Sequence, residues 1–281
     1  MALEQAASSL QTTDKNYTKV LKELLQSIKQ DNCWQSLPDW PRTMDNMFRK
    51  IEEAGLFNTN DDLTKQLDCI KDETIKCRYG IYKARILVNS RRWFENPPIA
   101  ALNKLKPYMT SPEMQKELDD IYATYNRVCE SWEHFRTAPA PDFTFEDTEG
   151  NMVTLSKFRG KFVILDVWNI YCGPCRDQVP YLQRFEPELK KMGVEVIGVS
   201  CDPQDIKDKW RKTVKDQNMP GIQTIMDNGR KSQFMKDYCI SGFPTFVLIN
   251  PEGMVVNPYM CRPEQSQFMT YIKEKIKEYK K

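Results

Sequence analysis

Cys172 and Cys175 stand two residues apart in Trp168-Asn169-Ile170-Tyr171-Cys172-Gly173-Pro174-Cys175, and they follow directly on the apolar run Phe162-Val163-Ile164-Leu165-Asp166-Val167-Trp168. Two thiols at this spacing can close and reopen a disulfide. The run is short, β-branched and aromatic and is bounded by Gly160 and Lys161, so it reads as a buried strand. After Cys175 the apolar residues Val179, Leu182, Phe185 and Leu189 fall at helical spacing, which predicts a helix starting at the dithiol. Cys172 then sits at a helix N-terminus, where unpaired N–H groups and the dipole favour a thiolate and lower a thiol pKa from about 8.5 to about 7 or below. Cys175, one turn further in, is expected to be shielded yet close enough to attack a mixed disulfide on Cys172 and release the reduced substrate. Gly173 and Pro174 suit a tight first turn, since proline near its start loses no hydrogen bond.

Asp166 is the one charged residue of the apolar run and shares a strand face with Trp168. A carboxylate there is costly unless it is paired or protonated, and burial raises its pKa toward neutrality. It is the candidate acid/base for Cys175; the alternative is an edge-of-strand aspartate open to solvent. For the cysteine pair, the alternatives are half of a zinc site or a purely structural bridge. Zinc needs two more ligands, and the chain holds one histidine, His134, and no second close cysteine pair. No metal and no cofactor beyond the cysteine pair is expected.

Residues from about Ala138 to the C-terminus resemble a thioredoxin-fold domain of the TlpA/ResA type of thiol:disulfide oxidoreductase. Three landmarks carry the resemblance besides the dithiol itself. Pro139-Ala140-Pro141-Asp142-Phe143, with Asp147-Thr148-Glu149-Gly150-Asn151 and Val153-Thr154-Leu155, is similar to the hairpin that precedes the first core strand. Pro180 matches the proline that kinks the active-site helix, and Gly242-Phe243-Pro244-Thr245-Phe246 matches the cis-proline loop. The resemblance implies an α/β thioredoxin-like fold, a central mixed sheet flanked by helices, with catalytic Cys172 and Cys175. Asp166 stands where thioredoxins proper carry the aspartate that relays the proton of the buried cysteine, a residue the TlpA/ResA type often lacks, and the resemblance implies substrate contacts at Phe243, Pro244, Tyr171 and Trp168. Tyr171 replaces the family's usual tryptophan, and Gln178 stands where ResA-type reductases carry a glutamate, so a glutamate-assisted mechanism is not available. Val194 to Ser200 offers no lysine partner for Asp166.

The chain of 281 residues suggests two domains, and its 28% charged and 40% hydrophobic content is that of a globular protein. Residues 1–137 carry 20 basic and 20 acidic side chains and the remainder 21 and 19, so neither half has the net basic field that nucleic-acid binding needs. Residues 1–137 read as an all-helical domain of unassigned function and 138–281 as the thioredoxin-like domain. Leu63, Leu67, Ile70, Thr74, Cys77, Ile81, Ala84 and Val88 predict one helix capped near Asn60 or Asp61, placing Cys69 and Cys77 on it about 12 Å apart. Leu118, Ile121, Tyr125, Val128, Trp132 and Phe135 predict another, with shorter helices around Tyr17–Ile28, Thr43–Glu53 and Pro98–Lys106. Seven further cysteines, Cys33 among them, show no pairing.

No stretch is long and apolar enough for an integral membrane segment, and Met1-Ala2-Leu3-Glu4 does not open a signal peptide. The resemblance points to the bacterial cell envelope or periplasm with the targeting segment absent from this chain; nine cysteines without obvious pairing suit a cytoplasmic alternative. The function expected is thiol:disulfide exchange with protein disulfides, regenerated by an upstream thiol donor. Reduction is the expected direction, since the CGPC dithiol resembles that of thioredoxin, whose potential is about −270 mV. Two rivals are a peroxiredoxin-like peroxidase, which normally has threonine where Asn169 stands, and a non-catalytic binding module.

Overall fold

The structure is a computed structural model that describes residues 17–30, 39–56, 63–91 and 93–280. It divides into two compact units, 1–127 and 128–281. The first holds helices α1 (Tyr17–Gln30), α2 (Trp40–Glu53), α3 (Leu63–Asp68), α4 (Glu73–Ser90), α5 (Ile99–Leu105) and the first part of α6 (Pro112–Thr137). Its core includes Leu21, Phe48, Ile51, Leu67, Tyr79 and Leu102, none with measurable exposure. The stripe expected from Leu63 to Val88 is interrupted. α3 ends at Asp68, and Asp72 starts α4 afresh, its carboxylate accepting the Ile75 N–H at 2.9 Å. A side chain that caps satisfies an otherwise orphaned donor and so fixes a helix start that apolar spacing does not reveal. Cys69 therefore lies in the turn after α3 and Cys77 on α4. Cys33 and the caps expected at Asn60 and Asp61 lie outside the described residues.

The compact units divide inside α6, ten residues before the boundary drawn from the sequence at 137/138. The last turns of α6 belong to the second unit by their packing. Trp132 lies 5.9 Å from the Tyr259 ring, Phe135 lies 6.1 Å from Tyr238, and His134 Nε2 is 2.9 Å from the Asp237 carbonyl oxygen. Tyr238 also donates to the Pro141 carbonyl at 2.7 Å and stacks on Phe234, itself edge-on to Phe143 and Phe145.

The second unit continues with β1 (Thr144–Asp147), β2 (Met152–Thr154), β3 (Phe162–Trp168), α7 (Gly173–Arg176), α8 (Val179–Lys191) and β4 (Val194–Ser200). It closes with α9 (Lys207–Asp216), β5 (Ile222–Ile225), α10 (Gln233–Asp237), β6 (Thr245–Ile249), β7 (Val255–Asn257) and α11 (Phe268–Tyr279). One mixed sheet runs β2-β1-β5-β4-β3-β6-β7. β3, β4 and β5 are parallel neighbours, while β6 and β1 pair antiparallel at either side of this trio. All seven residues of β3 are buried, as a central parallel strand covered on both faces requires. Phe162 and Ile164 of β3 meet Val194 and Val196 of β4, Leu182 and Leu189 of α8, and Phe268, Ile272 and Ile276 of α11 in one apolar cluster. The arrangement is thioredoxin-like.

The helix that starts at the dithiol, with its kink expected at Pro180, is two helices, α7 and α8, with Asp177 and Gln178 between them. Pro180 has no N–H with which to bond the Arg176 carbonyl, and it occupies the first turn of α8, where that lack costs nothing. Leu182, in that first turn, is 2% exposed. Leu182→Ala should destabilise the protein by about 2–5 kcal/mol, the usual cost of a buried leucine cavity. A shift in the urea midpoint smaller than that of a surface substitution would show that this cluster does not anchor α8.

Candidate active site

β3, β4 and β5 end together, so the loops that follow them gather at one edge of the sheet. The loop after β3 is drawn tight by local bonds. The Asn169 side-chain oxygen accepts the Tyr171 N–H at 3.0 Å, and its carbonyl accepts the Cys172 N–H at 3.1 Å. A second anchor comes from the next strand. Asp202 Oδ2 accepts the Ile170 N–H at 2.9 Å and the Ser200 hydroxyl at 2.7 Å. Burial pushes the Asp202 carboxyl above its ordinary value, opposed by those two donors.

Cys172 and Cys175 form a disulfide, the one disulfide among the described residues. Cys172 is the N-cap of α7, and its sulfur accepts the Cys175 N–H at 3.2 Å. It is half-buried, whereas Cys175 is 4% exposed and packs with Trp168, Ile170, Trp210, Val214 and Ile225. One sulfur therefore faces the solvent edge and the other the core. No third His, Cys, Asp or Glu joins them in a metal-binding group among the described residues.

Asp166 lies on the same strand face as Trp168, two residues deeper. It is 3% exposed, and its Oδ1 has no hydrogen-bond partner. Burial alone pushes its pKa up to about 7, with no cation among the described residues to oppose the shift. The solvent-open alternative for Asp166 does not hold.

The other expected site residues divide. The Phe243–Pro244 bond is cis, Pro244 is buried, and Phe243 packs against the cluster that contains Cys175. Arg230 sits over the Phe243 ring, 5.0 Å from its centroid. Tyr171 is 67% exposed, with Lys209 Nζ 4.7 Å above its ring and 3.2 Å from its hydroxyl. Tyr171 and Arg230 border a groove of about 640 Å³ that also takes in Asn169, Cys201, Ile206 and Lys231. Trp168, expected among the substrate contacts, is instead 1% exposed in the core beside Cys175. Its place on the inward face of a fully covered strand is what removes it from the surface.

Two residues tie the site together, one not singled out in the sequence and one noted there only as the replacement for the family's glutamate. Asp202 is one; the signal available was an aspartate just past the end of β4. Gln178 is the other. It is 1% exposed, donates to the Pro174 carbonyl at 3.3 Å, and accepts the Glu264 N–H at 3.2 Å, so it joins the dithiol turn to the segment before α11.

A half-exposed cysteine at a helix start, bridged to a buried one on a mixed thioredoxin-like sheet, defines a dithiol–disulfide exchange domain. The AhpC/TSA family profile matches residues 137–257. The thiol-disulfide oxidoreductase ResA of Bacillus subtilis (strain 168) is 35% identical over 152 residues, which cover 54% of this chain and 82% of that protein. ResA of Bacillus thuringiensis subsp. konkukian is 32% identical over 135 residues, covering 48% and 75%. The solved thioredoxin domain of a Bacteroides vulgatus thiol-disulfide oxidoreductase is 29% identical, covers 50% of this chain and 96% of that one, and superposes with a TM-score of 0.45. The chain belongs to the ResA family of thiol-disulfide oxidoreductases, through its second unit.

The state of Asp166 sets a pH dependence of stability. Its folded pKa, about 7, lies above the unfolded value of about 3.9, so the folded state binds the extra proton between them. The resulting stability is complete below pH 4, falls as pH rises through 7, and is lost above it, on the order of 4 kcal/mol in all. Urea unfolding of the oxidised protein between pH 4 and 8 should show this decline, and Asp166→Asn should remove most of it and be the more stable form at pH 8. An unchanged slope in Asp166→Asn would place the carboxyl in water rather than in the core.

Proposed function

We propose that this oxidoreductase reduces protein disulfides through Cys172 and Cys175, with Asp166 as proton acceptor and no cofactor beyond the cysteine pair. The asymmetry of the two sulfurs is the observation that carries this reading: an incoming disulfide reaches half-buried Cys172 and not Cys175. In the reduced protein the Cys172 thiolate attacks a substrate sulfur, a mixed disulfide forms, and the first substrate thiolate leaves. Asp166 takes the proton from the Cys175 thiol. The Cys175 thiolate attacks the Cys172 sulfur, the bond to the substrate breaks, and the second substrate thiolate departs. Two electrons have passed to the substrate and the disulfide has re-formed. An upstream thiol donor must then reduce it again.

The Cys175 N–H aimed at the Cys172 sulfur, with the start of α7, favours the thiolate that begins the reaction. Tyr171, Phe243 and Pro244 are the proposed contacts for the substrate segment, replacing the wider set that included Trp168. The cell envelope is the proposed location, on the likeness to ResA; no helix among the described residues is long and apolar enough to cross a membrane.

Reduction of insulin by the dithiothreitol-primed protein, measured beside peroxide consumption, tests the activity; peroxide consumption without insulin reduction would replace it with the peroxidase reading. Cys175→Ser should trap mixed disulfides on Cys172, because attack can occur and resolution cannot. Asp166→Asn should slow resolution at pH 7 by about 10- to 100-fold while leaving alkylation of Cys172 nearly unchanged. Resolution at the wild-type rate from pH 6 to 8 would reduce Asp166 to a structural role.

A further inference from the structure

Two buried oxygens of the sheet lack a hydrogen-bond partner, Oδ1 of Asp166 and Oε1 of Gln223. They come from β3 and β5, with β4 between. The register aligns Asp166 with Gly198 and Gly198 with Gln223, so the three residues form one row across the parallel strands and face the same side. The middle member has no side chain, and Gln223 fills the space. A Cβ at position 198 would lie 2.1 Å from Gln223 Oε1 and 2.5 Å from its Cδ and Nε2. The amide thus reaches across β4 toward Asp166. Nε2 is held by the Pro220 carbonyl at 2.7 Å, which leaves the oxygen as the pole without a partner.

A carboxylate and an amide oxygen both only accept, so an ionised Asp166 leaves both orphaned in the core. A protonated Asp166 has an O–H to give, and one hydrogen bond to Oε1 satisfies the pair. We propose that Gln223 is a positioning residue for Asp166, its Oε1 accepting the carboxyl O–H, and that Gly198 is glycine so that the amide can reach.

The proposal rests on the reading of Asp166 as proton acceptor and deepens it. When the Cys175 S–H bond breaks and the Asp166 O–H bond forms, the new O–H donates to Gln223. The product of proton transfer is stabilised, which makes Asp166 a stronger base toward a thiol. Phe246 of β6 completes the row, and Trp168 and Cys175 occupy the adjoining cluster. Among the described residues no Lys, Arg, His, Asp or Glu pairs with Asp166, so the amide is the one polar partner the row offers it.

The test is carbon-13 NMR of the oxidised full-length protein, in which neither active-site thiol titrates, labelled at Asp Cγ and Gln Cδ. Gln223 Cδ, assigned by correlation through its own side chain, should move with the same midpoint as Asp166 Cγ and should be flat across that range in Asp166→Asn. Gln223→Glu should raise the Asp166 midpoint by one unit or more, because two adjacent carboxyls then share one proton. An Asp166 that titrates beside a flat Gln223 Cδ, or a midpoint unmoved in Gln223→Glu, overturns the proposal. If Gln223→Glu does not fold, the wild-type and Asp166→Asn titrations decide it alone. The catalytic reading fails separately, by wild-type resolution rates in Asp166→Asn, and that result leaves the NMR outcome intact.

Discussion

A carboxyl enclosed in the apolar centre of β3 is the constraint on which the second unit depends. Asp166 lies among seven buried residues of a strand paired on both sides, and burial holds its pKa near 7. Such a group persists only where the surroundings leave no easier conformation, because its ionised form is disfavoured in the low dielectric. The sheet meets that condition. β4 and β6 fix both edges of β3 by hydrogen bonding, and α8 and α11 close the face on which Asp166 lies with a continuous apolar cluster.

The same strand then delivers the dithiol, and the turn that carries it is anchored from three directions. Asp202 draws the loop toward β4 at Ile170, Gln178 joins the Pro174 carbonyl to the Glu264 N–H, and the Cys175 N–H bonds the Cys172 sulfur. Two of these anchors are buried polar side chains whose loss would leave backbone groups unsatisfied, which makes the geometry of the turn stiff. Stiffness here preserves the unequal exposure of the two sulfurs. Tyr171 and Phe243 escape that enclosure and are each covered by a cation, Lys209 and Arg230, which holds aromatic surface beside Cys172 in a defined place.

What was legible in the sequence was what local pattern determines. Phe162–Trp168 and Val194–Ser200 are β-branched runs between turn residues, and both form strands over those residues. The cysteine spacing and the burial of Asp166 follow from the same short segment. What escaped depended on contacts between segments or on a single cap. Asp72 splits a helix whose apolar stripe reads straight through. The turns of α6 that join the second unit do so through Tyr238 and Tyr259, more than a hundred residues away. Trp168 enters the expected substrate contacts through the family resemblance, whereas its side chain is buried beside Cys175. Gln223 and Gly198 acquire meaning only once three strands are in register.

Burial has opposite consequences for two titratable groups near the dithiol. Cys201 follows β4 and borders the groove, where burial pushes its thiol from 9.0 to about 11 and keeps it neutral and unreactive. Asp166 is moved by the same cause from 3.8 to about 7. A thiol begins above neutrality and is carried further from it, while a carboxyl begins below and is carried into it. Of these two, only the carboxyl can exchange a proton near pH 7. The proton acceptor proposed for the buried cysteine is therefore a carboxyl because of where each group's ordinary pKa lies before the core encloses it, and a thiol buried in the same position would be carried away from neutrality.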